Sequence, residues 1–197
     1  MIDIPEGQRG DWTVRHLDID QEAAIICGIH ADFFNPSGRG AILPGRYTQL
    51  LYKGSVIMSD APDELLDLEE AVDQAMDTCL VAGLGLGIVA RQMLDQPLVR
   101  SVTVLEKDPD VIALAAPSLA HYGERLEIIQ ADALTWKPPR ARRWHMAWFD
   151  IWPDICSDNL PEMALLHRRY RRYVFGWMGS WCRAECRAHK RAGGYGR

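Results

Sequence analysis

Glycine and acidic residues follow apolar segments at four places in this sequence. The first place is the run Gly83-Leu84-Gly85-Leu86-Gly87, directly after the apolar segment 78–82. Glycine permits a sharp turn and lets a ligand come close to the main chain. In an open parallel sheet, a loop between a strand and its helix faces the ligand crevice. A tight strand-to-helix turn without a ligand would give the same glycine pattern.

Acidic residues end the next two apolar segments. Glu106 stands 19 residues after Gly87, where a carboxylate can accept two hydrogen bonds from a ribose diol. Asp132 precedes the small residue Ala133, and a carboxylate there can accept a hydrogen bond from an adenine amine. A strand-end surface residue or a turn would explain each acid alone. Together with the glycine loop, they indicate a nucleoside site.

A further acid, Asp150, ends the apolar run 145–149 and is expected to point into the same crevice. Trp152 could form a wall of that crevice, and Asp154 could supply a second carboxylate. Paired acids suit proton removal or the binding of a cationic substrate. We therefore take Asp150 as the candidate catalytic residue and Trp152 and Asp154 as candidate substrate contacts. Loop capping by Asp150 and plain packing by Trp152 are the alternatives.

The elements that position these motifs alternate along the chain. Strands are predicted at 78–82, 101–105, 126–130, 145–149 and 173–178, and helices at 60–77, 88–94, 108–119 and 159–172. Ser59 or Asp60 is the expected cap of the first helix, and Asp108 that of the third. This alternation favours an α/β fold with a doubly wound, mostly parallel sheet covered on both faces.

The segment before this pattern is predicted to be a β-rich extension over residues 1–60, with the ligand-binding domain over 61–197. Its short apolar runs, at 12–14, 23–29, 47–52 and 55–58, are separated by turn signals such as Asn35-Pro36-Ser37-Gly38. The last two runs flank Lys53-Gly54 and predict a hairpin.

Composition excludes several protein classes. The chain has 197 residues, of which 48% are hydrophobic and 25% charged, which is typical of one globular domain and excludes collagen, long disorder and a coiled coil. Its most apolar stretch, 78–89, is shorter than the roughly 20 residues that cross a bilayer. No signal peptide is recognisable, so we expect a cytoplasmic protein without a membrane partner.

The five scattered cysteines predict reduced thiols rather than a disulfide framework. Cys182, Cys186 and His189 could share a helix face, but their spacing fits no common zinc pattern. No metal site is therefore predicted.

Charge is divided unevenly along the chain. Residues 1–136 carry a net charge of −13, whereas residues 137–197 carry +8. Four arginines and two tyrosines lie within 167–173, and arginine with interleaved aromatics can bind phosphates and stack on bases. An arginine-rich helix end that complements the helix dipole is the alternative.

In this order, the four motifs resemble those of the class I S-adenosylmethionine (SAM)-dependent methyltransferases, over about residues 78–178. The resemblance implies a seven-stranded Rossmann-like sheet with one antiparallel strand and SAM as cofactor. It implies that SAM lies over the glycine loop, with its ribose on Glu106 and its adenine near Asp132. The residues implied to bind the cofactor are Gly83, Leu84, Gly85, Gly87, Glu106, Lys107, Asp132 and Ala133.

Within that superfamily, residues 102–112 and 54–69 look most like the spermidine synthase branch. Several residues that this branch uses to hold a polyamine are absent. Ile57 replaces a Gln, Asp67 or a neighbour replaces a Tyr, and Ile151-Trp152-Pro153 replaces a Ser/Thr-rich loop. Residues 150–153 are also similar to the Asp-Pro-Pro-Tyr motif of amino-methylating DNA enzymes, but the order of proline and aromatic differs, so base methylation is not predicted from it.

Function is therefore predicted as methyl transfer from SAM to an unidentified acceptor, a small molecule or a nucleic acid. Three alternatives stay open: an aminopropyltransferase, a non-catalytic module that binds nucleic acid, and a nicotinamide-dependent oxidoreductase. Against the last, Ile88 stands where the dinucleotide fingerprint needs a glycine or alanine. A homodimer is possible.

Overall fold

An antiparallel sheet forms the first part of the fold. The structure is a computed structural model and describes residues 4–26 and 42–193. The strands are β1 (Gly7–Arg9), β2 (Trp12–Ile19), β3 (Gly45–Tyr52) and β4 (Ser55–Ser59), paired in that order. The predicted hairpin is confirmed, since β3 and β4 meet across Lys53-Gly54. The predicted turn at 35–38 lies outside the described residues.

A parallel sheet forms the second part. Its strands are β5 (Asp77–Ala82), β6 (Val99–Glu106), β7 (Leu126–Gln130), β8 (Met146–Phe149) and β9 (Met178–Ser180). Their order is β7-β6-β5-β8-β9, and every pair is parallel. The predicted parallel α/β sheet is confirmed, but the described residues supply five strands rather than seven, and none of the five is antiparallel. The order in which strands are added to the sheet reverses between β5 and β8, which is where such sheets bind ligands.

Helices connect these strands. They are α1 (Pro62–Leu66), α2 (Glu69–Asp73), α3 (Ile88–Asp95), α4 (Pro109–Leu119), α5 (Asn159–Tyr170) and α6 (Arg183–Arg191), with a 3-10 helix at Ala120–Arg125. Asp108 caps α4 as predicted, because its side chain accepts a hydrogen bond from the backbone N–H of Asp110. No helix among the described residues is both long enough and apolar enough to cross a membrane.

Three predictions about local structure were wrong. The single helix at 60–77 is two short helices, and its expected cap Asp60 is buried and accepts a hydrogen bond from the backbone N–H of Thr48 on β3. Residues 173–178 contribute one bridge, Trp144 to Val174, and the strand itself is β9. Within the segment predicted to be β-rich, residues 21–26 are helical. At the first of these places a tertiary contact, that of Asp60 with Thr48, overrides the local pattern.

Buried residues form two clusters. One includes Val81, Val104 and Trp148 of the sheet with residues of α3, α4 and the antiparallel sheet. The other includes Leu80 and Phe149 with residues of α5 and α6. Alternate residues of each strand thus pack in opposite directions, as expected for a sheet that is covered on both faces.

Candidate cofactor and acceptor site

A cavity of about 510 Å³ lies at the carboxyl ends of β5, β6, β7 and β8. This volume is within the range of small-molecule sites, roughly 300–1,000 Å³. Its lining includes these predicted site residues: Gly83, Leu84, Gly85, Glu106, Lys107, Asp132, Ala133, Asp150 and Trp152. The structure therefore brings together most of the residues that the sequence singled out.

Two glycines of the loop have no room for a side chain. Gly83 has φ +97°, and a Cβ there would lie 1.8 Å from the backbone oxygen of Asp150. Gly85 has φ +51°, and a Cβ would lie 2.2 Å from Sδ of Met58. The loop is thus fixed between β8 and the antiparallel sheet, which keeps its backbone at the cavity wall.

Gly87 differs from the other two glycines because it does not line the cavity. It has φ +76°, and a Cβ there would lie 2.7 Å from Leu119. Its place is the turn into α3, packed against the end of α4. The prediction that Gly87 contacts the cofactor has no support from its position.

Glu106 connects the glycine loop to the start of α4. Its Oε2 accepts a hydrogen bond from the backbone N–H of Leu84 at 2.9 Å, and its Oε1 accepts one from the backbone N–H of Asp108 at 2.8 Å. Two backbone donors fix the orientation of this carboxylate. Each carboxylate oxygen has a further lone pair for a ligand hydroxyl.

The loop after β7 forms the opposite side of the cavity. Asp132 Oδ1 accepts a hydrogen bond from the backbone N–H of Leu134 at 2.8 Å, and the hydroxyl of Tyr170 donates to the carbonyl of Ala133 at 3.0 Å. Trp152 is 8% exposed, and its indole N–H donates to Glu162 at 2.8 Å. Trp152 therefore lies in the cavity wall, and its contact with a substrate stays a prediction.

Asp150 lies at the edge of the cavity among other acids. The pKa of Asp150 is raised from 3.8 to about 7, mainly by burial and to a smaller extent by the charges of Glu64 and Asp67, while the Trp148 side chain acts in the opposite direction. Burial also raises the pKa of Glu64. The indole N–H of Trp148 is buried, and within the described structure it has no acceptor in hydrogen-bonding geometry. Asp150 can thus take up or release a proton near neutral pH.

Asp154 does not reach this site. It is exposed and does not line the cavity, and its carbonyl accepts a hydrogen bond from the Asn159 side chain at 2.6 Å. Cys182 and Cys186, which were considered as a shared helix face, have different surroundings. The thiol of Cys182 donates a hydrogen bond to Asp67, whereas Cys186 is buried in the cluster around α5.

Several cavity residues were missed by the sequence predictions. They are Trp12, Leu50, Tyr52, Ile57 and Met58 from the antiparallel sheet, Glu64 and Leu68 from the segment of the following helices, and Trp181 directly after β9. The backbone N–H of Leu86 even donates to Sδ of Met58 at 3.2 Å. The sequence predicted the hairpin to which some of these residues belong, but it did not predict that the antiparallel sheet packs over the cavity.

The residues present fit SAM. Glu106 has lone pairs left to accept from ribose hydroxyls, Asp132 and Ala133 line the part of the cavity where we expect the adenine, and Trp152 gives an apolar wall. The acids Glu64 and Asp150 suit the positive sulfonium of that cofactor. Among the described residues, the lining contains no arrangement specific to a pyrophosphate, which a dinucleotide would need.

The chain matches known proteins over this same region. Residues 66–151 match the family model of the ribosomal RNA adenine dimethylases. This range begins at the end of α1 and includes the glycine loop, Glu106, Asp132 and Asp150. No curated protein is a significant match for the chain.

The fold of this chain resembles those of several solved structures. Spermidine synthase from Thermotoga maritima is 15% identical with a TM-score of 0.52, and the match covers 90% of this chain and 55% of that one. The 23S rRNA methyltransferase ErmE is 22% identical with a TM-score of 0.47, over 69% of this chain and 51% of that one. The glycopeptide N-methyltransferase MtfA, complexed with sinefungin, is 18% identical with a TM-score of 0.44, over 57% and 47%. The chain thus spans about half the length of each.

The spermidine synthase likeness covers 90% of this chain and concerns the fold alone. The family model covers the predicted cofactor residues themselves. On these grounds residues 66–151 have the sequence pattern and the fold of the class I SAM-dependent methyltransferase superfamily, whose cofactor is S-adenosylmethionine.

Proposed function

We propose that this protein methylates an amino nitrogen of a base in RNA. The observation that carries the proposal is the match of residues 66–151 to the ribosomal RNA adenine dimethylases, a range that ends just after Asp150. In the structure, Asp150 lies on the same cavity as Glu106 and Asp132. A carboxyl group at the cavity edge is therefore available to an acceptor beside the cofactor.

Glu106, Asp132 and the backbone of the glycine loop would hold the cofactor. When bound, it supplies an electrophilic methyl group on a sulfonium sulfur. An exocyclic amine is a weak nucleophile and must lose a proton when it is methylated. Asp150 accepts a hydrogen bond from that amine, orients its lone pair and holds the released proton, which suits a group with a pKa of about 7.

Trp152 and the antiparallel sheet complete the pocket. Trp152 provides a flat apolar surface beside Asp150, and Ile57, Tyr52 and Trp181 lie on other parts of the lining. A base that leaves its stack finds aromatic partners here, at an expected gain of about 1–3 kcal/mol for a stacked base. The same walls exclude water from the acceptor nitrogen.

Incubation with methyl-tritiated SAM and total bacterial RNA tests the proposal. We expect label in RNA that is lost on ribonuclease treatment and that migrates as a methylated base after hydrolysis. Asp150→Asn should lower the rate by about 100-fold, as for loss of a general base. A matched control, Asp154→Asn, should leave the rate unchanged because Asp154 is outside the cavity. SAM binding by calorimetry without RNA labelling would contradict the RNA acceptor.

One observation favours a second candidate, transfer to a small cationic amine. Glu64, Asp67 and Asp150 are close enough to influence one another electrostatically, and such a set attracts a protonated amine. The residue Ile57, which replaces a polyamine-binding Gln, lines the cavity and weakens this candidate. Label or aminopropyl groups in putrescine, with SAM or its decarboxylated form as donor, would favour it over RNA.

Two finer expectations belong with the proposal. We expect the protein to act in the cytoplasm, where RNA is available, and fractionation of cells with an antibody would test this. A homodimer stays a prediction that light scattering on the purified protein would test.

A further inference from the structure

An open concave surface of about 610 Å³ lies outside the cofactor cavity. Its lining is Lys137, Pro138, Arg168, Arg169, Arg171, Arg172 and Tyr173, and we call this surface the arginine hollow. It shares no residue with the cavity lining. Five of its seven lining residues carry a positive charge. These charges repel one another, and a bound anion would reduce that repulsion.

The hollow has no counter-charge of its own. None of its five basic side chains makes an ion pair with an acidic residue in the part of the chain that the structure describes. By contrast, the nearby Arg142 is paired with Glu127. A helix dipole accounts for the arginines in the last turn of α5 and for Arg171 at its C-cap, but Arg172 and Lys137 lie outside that helix. The dipole alone therefore does not explain the cluster.

Two of the arginines are held in place by neutral partners. The guanidinium of Arg169 donates to the carbonyl of Trp136 at 2.8 and 3.0 Å. Arg172 donates to the hydroxyl of Tyr173 at 2.8 Å and lies 4.8 Å from the centre of its ring. Arg143 lies 5.7 Å from the same ring. Positively charged forks that are fixed before binding lose less entropy when they contact phosphate.

The hollow adjoins the cofactor site through one loop. Arg169 binds Trp136, which is four residues after Asp132 of the cavity, and Tyr170 beside it donates to the carbonyl of Ala133. Phe175, two residues after Tyr173, is 64% exposed and offers a face on which a base could stack. A polyanion bound in the hollow thus runs past the loop that lines the cofactor cavity.

We infer that the arginine hollow binds the phosphate backbone of the RNA acceptor, away from the methylated base. The inference rests on the proposed function for its choice of RNA. Arginine forks match phosphate oxygens in geometry, and the side chains of Arg168 and Arg171 are exposed and within reach of such a ligand. The acidic group at Asp150 repels phosphate, so the backbone needs a separate surface, which the hollow provides.

The test uses the double variant Arg168→Gln/Arg171→Gln of the full chain. A matched control, Arg9→Gln/Arg15→Gln, removes two exposed positive charges from the antiparallel sheet. Binding of a fluorescein-labelled single-stranded RNA of roughly 16 nucleotides is measured over a range of salt concentrations without SAM. The hollow variant should bind about tenfold more weakly and reduce the salt slope by about 1.4, at about 0.7 per phosphate contact. The control should behave like the wild type.

The inference would be overturned if the hollow variant bound RNA as tightly as the wild type. It would also be overturned if the control variant lost as much affinity as the hollow variant. Tighter binding of wild type to phosphatidylglycerol vesicles than to RNA would also overturn it, because the surface would then serve a membrane. RNA binding through the hollow without RNA methylation would retain this inference and reject the proposed function. RNA methylation with an unchanged KM for RNA in the hollow variant would retain the proposed function and reject this inference.

Discussion

The indole N–H of Trp12, on the antiparallel sheet, donates a hydrogen bond to Oδ2 of Asp108 at 2.6 Å. Asp108 in turn caps α4, and its backbone N–H donates to Glu106, which also receives the N–H of Leu84. A continuous series of hydrogen bonds therefore leads from the antiparallel sheet to the glycine loop. The sheet is part of the candidate cofactor site and not a separate appendage to it.

Trp12→Phe should loosen this connection. It removes one hydrogen bond to a charged acceptor, worth about 1.5–3 kcal/mol, while it keeps an aromatic ring against the cavity. We expect a lower free energy of unfolding in urea and a SAM dissociation constant raised several-fold in calorimetry. Trp136→Phe is the control, since Trp136 does not line the cavity. A similar loss of SAM affinity in both variants would contradict a specific role of Trp12.

Glu106→Gln should impair cofactor binding more than folding. The amide keeps one oxygen, but its NH₂ group would face a backbone N–H that now donates to a carboxylate. We expect SAM to bind at least tenfold more weakly by calorimetry. Glu69→Gln removes an exposed acid from α2 and should leave the affinity unchanged. Normal SAM binding by the Glu106 variant would exclude the ribose contact.

Gly83→Ala should destabilise the fold and abolish SAM binding. The methyl group would meet the backbone oxygen of Asp150, which cannot move without shifting β8. Gly54→Ala provides the control, because Gly54 also has positive φ, +82°, but a methyl group added there would have no neighbouring atom within 4 Å. The control should cost about 1–2 kcal/mol from its backbone strain alone. Thermal unfolding of both variants isolates the clash, and equal losses of stability would show that it is absent.

The parallel sheet could be predicted because its strands are marked by local sequence. Buried strands such as 145–149 are short apolar runs, and the residues that follow them lie at one edge whatever the details of packing. That is why Glu106, Asp132 and Asp150 were found from sequence and lie on one cavity.

The rest of the site depends on contacts that are distant in sequence. Trp12 reaches Asp108 across 96 residues, and no local pattern indicates which face of a hairpin will cover a cavity. The same reason explains the strand misplaced at 173–178. Residues 173–177 do form backbone hydrogen bonds with residues 144–147, such as that from Gly176 N–H to the carbonyl of His145 at 2.9 Å, but only Val174 forms a bridge there, with Trp144.

Asp150→Asn should change how stability and activity depend on pH. The pKa of Asp150 in the folded protein is raised from 3.8 to about 7, so its ionised form is disfavoured by folding. Folded wild type binds more protons than unfolded wild type between these values, and its stability should fall as pH rises through them. Asparagine does not titrate, so the variant should gain stability over wild type progressively across this range and keep the gain above pH 7.

The activity of the wild type should change with pH in the opposite direction to its stability. Because the ionised carboxylate is the form that takes up the proton of the acceptor amine, kcat/KM of wild type should rise with pH and level off above the pKa of about 7. The Asp150 variant should be slow and lack this rise. Urea unfolding and initial methylation rates, measured on both sides of the window, check the two halves of the prediction. A wild-type rate that does not change with pH, together with a stability difference that does, would mean that Asp150 is buried beside the acceptor without handling its proton.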